Sequence, residues 1–230
     1  MLSLVLPTSN EAGLDYLPRI LARFAGRDDV ELIVVDNASG DGTRERIAEA
    51  GVPCIDLPRS NRAQRLNAGI AQARSEWVLL HHPRSLAPAE APALLAKLPD
   101  SVRWGAFSHR FDMAHPLLAW TSWYSNHVRL DRAGIAYLDH CIFARREALL
   151  KYPVPDLDIF EDTALSRGLR ARLGKPMRLP ATATTSAVRY RHNGVWRQAL
   201  MNQVLKLGYG ARVPHVWMNR LYERGLSLNG

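Results

Sequence analysis

Two polar loops carry the residues of this chain best placed for chemistry. Leu2 to Leu6 is an apolar run that breaks into Pro7-Thr8-Ser9-Asn10-Glu11, and Leu32-Ile33-Val34-Val35 breaks into Asp36-Asn37-Ala38-Ser39-Gly40-Asp41-Gly42-Thr43. Each apolar run reads as a buried parallel strand, so each loop stands at the carboxyl edge of a sheet, where open α/β folds bind nucleotides. Gly40 and Gly42 permit tight turning, and Asp41 begins a helix. Arg62 and Arg65 open a later helix on the same edge. Further along, Asp158-Ile159-Phe160-Glu161-Asp162-Thr163 gathers carboxylates at a helix entrance, where acids complement the helix dipole.

The elements that must position these residues follow from apolar spacing. Leu14, Leu17, Ile20, Leu21 and Phe24 fall at helical intervals, with Asn10 or Asp15 as caps. A short helix over Thr43–Ala50, a strand over Val52–Leu57, a helix over Arg62–Arg74 and a strand over Trp77–Leu80 complete four strand-helix alternations, a βαβ array with right-handed crossovers. Beyond Pro83 the pattern predicts helices over Pro88–Leu98, Pro116–Leu130, Arg145–Leu150, Asp162–Leu173 and Val195–Leu207. It predicts strands over Trp104–Asp112, Cys141–Ala144, Met177–Pro180 and Thr184–Val188. No repeat or flexible linker interrupts this second half, which is expected to complete the sheet and build an acceptor pocket over it.

Composition narrows the partners. The formal net charge of +8 is carried mostly by arginine, since lysine occurs only at Lys97, Lys151, Lys175 and Lys206, and arginine suits forked hydrogen bonding to phosphate. The arginines are scattered among acids with no basic tail, which argues against nucleic acid. No apolar run approaches the roughly 18 to 20 residues of a membrane span, and no leader pattern opens the chain, so the expected location is cytoplasmic. Cys54 and Cys141 match no metal spacing and read as free thiols; His109, His115 and His127 show no ligand spacing either. The absence of Gly-x-Gly-x-x-Gly after the first strand argues against a dehydrogenase.

Pro7-Thr8-x-Asn10-Glu11, Val34-Val35-Asp36-x-x-Ser39-x-Asp41-Gly42-Thr43, Arg62-Ala63-x-x-x-Asn67-Ala68-Gly69 and Glu161-Asp162 together resemble the ordered motifs of family 2 glycosyltransferases of the GT-A fold, in particular the small members without membrane helices. The resemblance implies an α/β, Rossmann-like and mostly parallel sheet flanked by helices. It implies a single domain over 1–230, with a nucleotide-binding half (1–85) and an acceptor half (86–230) ending in an amphipathic helix. The implied activity is transfer of a sugar from a nucleotide-sugar donor, UDP-sugar by preference, to a hydroxyl acceptor with inversion. In that scheme Asp36 accepts from the uracil imide, or else caps the helix near Gly42; Thr8 and Glu11 contact the nucleotide, or else serve the turn; and Arg62 and Arg65 reach the pyrophosphate. Asp162 is the base, Glu161 orients its loop, and Asp139 matches an acidic position facing the acceptor.

One motif departs from the family. Its members bind Mn²⁺ or Mg²⁺ through an aspartate directly after the fourth strand, because a hard cation bridging a diphosphate needs anionic oxygen. Here that place reads Leu80-His81-His82-Pro83-Arg84-Ser85, with Pro83 where the aspartate would stand. Three readings stay open: His81 or His82 ligates a transition metal, Arg84 with Arg62 or Arg65 neutralises the diphosphate, or the fold is a nucleotide-sugar-binding protein without activity. Two further segments carry alternatives. Trp196, Leu200, Val204 and Leu207 form a stripe that either packs in the core or lies on the inner face of a membrane, bringing a lipid-linked acceptor to the site. Trp120-Thr121-Ser122-Trp123-Tyr124 is either core or a dimer contact.

Overall fold

The computed structural model describes residues 1–224. The first third alternates as the sequence predicts: β1 (Leu2–Thr8), α1 (Tyr16–Phe24), β2 (Val30–Asp36), α2 (Thr43–Glu49), β3 (Cys54–Asp56), α3 (Arg62–Gln72) and β4 (Trp77–Leu80). Strand β1 pairs in parallel with both β2 and β4, and β2 with β3. Next come β5 (Ser85–Leu86), α4 (Ala91–Leu95), β6 (Trp104–Phe111), α5 (Pro116–Tyr124), a π-helical segment (Ser125–Arg132), a 3₁₀ turn (Leu138–His140), β7 (Ile142–Arg145) and α6 (Arg146–Lys151). The chain then runs through α7 (Glu161–Leu173), β8 (Met177–Thr185), α8 (Val188–Asn193), α9 (Val195–Gly210) and α10 (His215–Arg224). All eight strands form one sheet in the order β3-β2-β1-β4-β7-β6-β8-β5. It is parallel from β3 to β4. Beyond that it is mixed, because β7 is antiparallel to both β4 and β6 and β5 is antiparallel to β8, while β6 and β8 run parallel.

Period-2 alternation divides the core between the two sheet faces. Leu4, Leu6, Val34 and Leu79 meet Leu17, Ile20 and Phe24 of α1, while Val5, Val35, Val78 and Leu80 meet Ala63, Leu66 and Ile70 of α3 and Leu165 and Leu169 of α7. Helix α3 lies unusually close to β1. A Cβ built at Gly69 would stand 2.4 Å from Val5 Cγ1 and 3.4 Å from Val35 Cγ2, both on stiff, buried β-branched side chains. That approach brings the start of α3, and its arginines, down to the strand ends. Gly69→Ala is therefore expected to lose about 1–3 kcal/mol by overpacking, despite alanine's better helix propensity, read as a lower urea midpoint.

Several sequence expectations change in detail. The strands expected at Met177–Pro180 and Thr184–Val188 are one strand, β8, with a bulge: Phe107 pairs with Leu179 and Ser108 with Thr182, so Pro180 and Ala181 drop out of the ladder. Pro180 has no N–H to contribute there. Val188 begins α8 instead of ending a strand. The helix expected over Pro116–Leu130 divides after Tyr124 into α5 and the π-helical segment, and Trp120 and Trp123 on it are 56% and 53% exposed, so they are not core. Asp15 precedes α1 without a capping hydrogen bond from its side chain, and Asn10 sits in the left-handed region at φ 53. Cys54 and Cys141 are both free thiols.

Candidate functional site

The two polar loops at the ends of β1 and β2 are braced against each other by side chains. Thr8 and Asp36 are register partners, and Thr8 Oγ1 donates to Asp36 Oδ2 at 2.7 Å. Ser39 donates to the same carboxylate twice, from its N–H to Oδ1 at 2.6 Å and from its hydroxyl to Oδ2 at 2.8 Å. Ser39 Oγ and Thr43 Oγ1 then accept from the backbone N–H groups of Asn10 and Glu11, both at 2.8 Å. Asp41 accepts from Ala12 N–H at 2.9 Å and from Thr43 Oγ1 at 2.6 Å, and α2 begins at Gly42 with φ 96. Asp36 and Thr8 are fully buried and do not line the cavity that opens beside them. Instead of presenting an open acceptor or capping α2, Asp36 ties the two loops, because the Thr8 and Ser39 hydroxyls lie within its reach.

That cavity, about 490 Å³, runs from the β1, β2 and β4 ends to helices α9 and α10. Its wall at the β-strand ends carries arginines. Helix α3 opens on a capping box in which Gln64 N–H donates to Asn61 Oδ1 at 2.9 Å and Asn61 N–H donates to Gln64 Oε1 at 3.2 Å. Arg62, the next residue, donates from Nε to the fully buried Glu161 carboxylate. Glu161 therefore anchors an arginine from behind the wall and does not reach the cavity. Arg65 is only 8% exposed; among the described residues it has no carboxylate within ion-pair distance, its Nη1 donates to Thr8 O at 3.0 Å, and its Nε has no partner. Burial, reinforced by Arg62, pulls its pKa down to about 10, still well above neutrality. Arg84 Nε donates to Glu11 Oε2 at 3.3 Å, and burial raises the Glu11 pKa against the pull of Arg84.

The histidine pair separates. His81 is fully buried with Nδ1 2.9 Å from His82 O and Nε2 accepting from Ala87 N–H at 3.2 Å, and burial lowers its pKa to about 4. Both its nitrogens are committed to backbone, so it takes no part in the diphosphate or metal region. His82 does line the cavity, with Nδ1 3.8 Å from Asp139 Oδ1 and Nε2 3.3 Å from Arg62 Nη1. Burial, then Arg62, holds it well below its usual range.

Two acids line the same cavity, within the field of Arg62. Left-handed residues place them: Phe160 (φ 64) turns the chain into α7 just ahead of Glu161 and Asp162, and Cys141 (φ 52) follows the turn that carries Asp139. Asp162 Oδ2 accepts from Leu138 N–H at 3.1 Å, and Oδ1 accepts from Thr163 N–H at 2.6 Å, which fixes the carboxylate at the cavity wall. Burial, helped by the Glu161 charge, pushes its pKa up to about 7. Asp139 also lines the cavity, and burial raises its pKa, opposed chiefly by His140 and Arg62.

Residues that the sequence did not single out complete the far wall. His109 is 5% exposed with neither ring nitrogen hydrogen-bonded, and burial lowers its pKa to about 3. Arg129, Tyr190, Gln198, Asn202 and Lys206 line the same end. The sequence signal available for them was only a helical stripe; which face of α9 turns inward depends on α8 and α10 packing against it.

The Mn²⁺ or Mg²⁺ that the family resemblance implies does not fit the donor set. Pro83 supplies no carboxylate at the family position, His81 commits both ring nitrogens to backbone, and Asp139 with His82 are flanked by the Arg62 and Arg84 guanidiniums. Among the described residues no three His, Cys, Asp or Glu side chains converge to hold an ion.

Comparison with known proteins bears on this arrangement. Residues 3–82 match the model described as "Glycosyl transferase family 2". No curated protein matches the sequence. Among solved structures, S. aureus TarS 1–349 shares 16% identity at a TM-score of 0.65, covering 89% of this chain and 64% of that one. The same protein in complex with UDP-GlcNAc shares 18% at 0.63, covering 80% and 58%. Glucosyl-3-phosphoglycerate synthase from Mycobacterium tuberculosis, in complex with Mn²⁺, UDP and glucosyl-3-phosphoglycerate, shares 19% at 0.57, covering 81% and 70%. The chain thus spans less than two thirds of the TarS chain, and at these identities the likeness is one of fold.

Proposed function

From a chain that carries a family 2 glycosyltransferase domain over residues 3–82, on a GT-A fold, we propose an inverting sugar transferase with a UDP-sugar donor and a hydroxyl acceptor. The observation that carries the reading is one cavity lined both by arginines from the β-strand ends and by a carboxylate, Asp162, whose pKa burial pushes up to about 7. The known ligands of the fold relatives, UDP-GlcNAc for TarS and UDP for the synthase, support the donor class.

In this reading the diphosphate lies against Arg65, Arg84 and Arg62. The acceptor hydroxyl oxygen attacks the anomeric carbon, the bond from that carbon to the β-phosphate oxygen breaks, and its electron pair leaves on UDP. The hydroxyl proton passes to Asp162. A base is most effective with a pKa near the working pH, which burial beside Glu161 supplies. The fixed guanidiniums meet charge as it develops on the leaving group, in a site that needs little reorganisation. Asp139, facing the cavity beside His82, orients the acceptor.

The test is the pH profile of UDP release from a donor panel. The rate should rise as Asp162 loses its proton and level off above about pH 7; a profile flat from pH 5 to 8 contradicts Asp162 as base. The same shift has a sign for stability. The native state keeps this proton to higher pH than the unfolded chain, so the contribution of Asp162 weakens as pH rises from 3.8 towards about 7.

The stripe on α9 is not core. Trp196, Leu200 and Leu207 are 73%, 66% and 73% exposed, and Trp217 on α10 is 68% exposed beside them in the chain order. Residues 187–222 carry six Lys or Arg and no Asp or Glu. No helix among the described residues is long and apolar enough to cross a membrane. This pair of helices is therefore read as lying on an anionic bilayer, from which a lipid-linked acceptor would reach the cavity. Replacing Trp196 and Leu200 with Ser should release the protein from anionic liposomes, measured by co-sedimentation; undiminished binding counts against this contact.

A further inference from the structure

The cavity has a second concentration of positive charge, away from the wall assigned to the donor diphosphate. Arg129 comes from the π-helical segment and Lys206 from α9, and both line the acceptor end. Arg129 is built in. Its Nη1 donates to Ser125 Oγ at 3.0 Å, Ser125 Oγ is in turn 2.8 Å from Nε2 of the fully buried His140, and His140 Nδ1 is 3.0 Å from Phe107 O. His140 holds its proton on Nδ1 for the Phe107 carbonyl, so the Ser125 hydroxyl donates to Nε2 and its lone pair takes the guanidinium. The guanidinium also stacks over the Tyr137 ring, 4.2 Å from its centroid. None of these partners is anionic.

Lys206 lines the same space with no ion pair to any described carboxylate. Burial, and then the Arg129 charge, lowers its pKa to about 8. Two cations are thus held within each other's field, in a partly buried space, by elements that do not neutralise them. A protein that needed only to fill this space could do so with apolar side chains at less electrostatic cost. Two cationic donors that share a cavity with no ion-paired carboxylate among the described residues, and with only the more distant Asp139 charge acting on Arg129, suit a dianionic group that each can hydrogen-bond.

We propose that Arg129 and Lys206 form an acceptor subsite for a phosphate ester, so that the acceptor is a phosphorylated alcohol whose free hydroxyl is presented to Asp162. This rests on the transferase reading for the role of the ligand, though not for its binding. The donor diphosphate occupies the Arg65 and Arg84 wall, and the acceptor phosphate the Arg129 and Lys206 end, which leaves the hydroxyl between them beside the carboxylates.

The chemistry is shared by a water-soluble sugar or polyol phosphate and by a phospholipid headgroup with hydroxyls, and the test separates them. Calorimetry with glycerol 3-phosphate, on protein saturated with UDP, reads the soluble source. Co-sedimentation with phosphatidylcholine vesicles carrying phosphatidylglycerol reads the lipid source. In the arm that reports binding, Arg129→Gln and Lys206→Gln should each weaken it by at least about tenfold, with UDP affinity unchanged and with Lys206→Arg retaining it. Equal binding by wild type and both Gln variants, or no binding in either arm, overturns the subsite. Equal loss in Lys206→Gln and Lys206→Arg also overturns it, because packing would then explain the effect. If UDP itself does not bind, the transferase reading fails; the same titration on UDP-free protein, compared between wild type and the two Gln variants, still decides this subsite.

Discussion

Asp162→Asn should lower sugar transfer by roughly 10²- to 10⁴-fold, the usual contribution of a positioned general base, while leaving UDP-sugar affinity within about twofold. The separation of the two effects is what the geometry dictates. Asp162 receives N–H groups from Leu138 and Thr163, while the donor diphosphate is assigned chiefly to Arg65 and Arg84, which make no bond to Asp162. Asparagine keeps the size and an oxygen for one of those donors, so the fold around α7 should hold. What it loses is the capacity to take a proton. Single-turnover transfer alongside a UDP titration measures both halves, and full activity in Asp162→Asn would move the base elsewhere, with Asp139 the next carboxylate in the cavity.

Arg65→Met should cost about 10²- to 10³-fold in turnover, comparable with removing one donor from an oxyanion site. Arg65 is the clearest residue for this experiment because it is buried and ion-paired to no carboxylate among the described residues, so its loss breaks no direct salt bridge. Arg84 is paired with Glu11, and Arg84→Ala alone would leave a buried acid unpaired; its effect is best read in the double variant with Glu11→Gln. The prediction for both arginines is a fall in turnover and in UDP affinity together, since the ground-state diphosphate is already charged and the leaving group becomes more so. Unchanged turnover in Arg65→Met would remove arginine neutralisation from the mechanism.

Much of this was legible in the sequence. The βαβ array and the placing of two polar loops at the sheet edge follow from apolar runs that stop at Thr8 and Asp36, and the strand-helix alternation is strong enough to survive small errors at element ends. Asp41 as a helix-starting brace was legible too, from its position before Gly42. Which acids and histidines face open space was not. His81 and His82 are adjacent, yet one is buried against backbone and the other lines the cavity, a difference set by the β4 to β5 turn and invisible to residue type. Asp36 looked like a free acceptor because the hydroxyls that fill it, on Thr8 and Ser39, are brought together only by the β1 to β2 register. Arg129 and Lys206 lie far apart in sequence, on the π-helical segment and on α9, and share a cavity only through the fold, and His109 shows no motif at all. The periodicity of the α9 stripe leaves open whether core or membrane takes its apolar residues, and Trp196, Leu200 and Leu207 stand exposed.

This GT-A fold is proposed to bind a nucleotide diphosphate through arginine at the position where family 2 glycosyltransferases use a metal-bound aspartate. Calorimetric titration of the purified chain with UDP, once in EDTA and once in Mn²⁺, tests it most directly. The account predicts binding in EDTA with an affinity that Mn²⁺ leaves unchanged and that Arg65→Met weakens. Binding that appears only with Mn²⁺, or no UDP binding in either buffer, would contradict it.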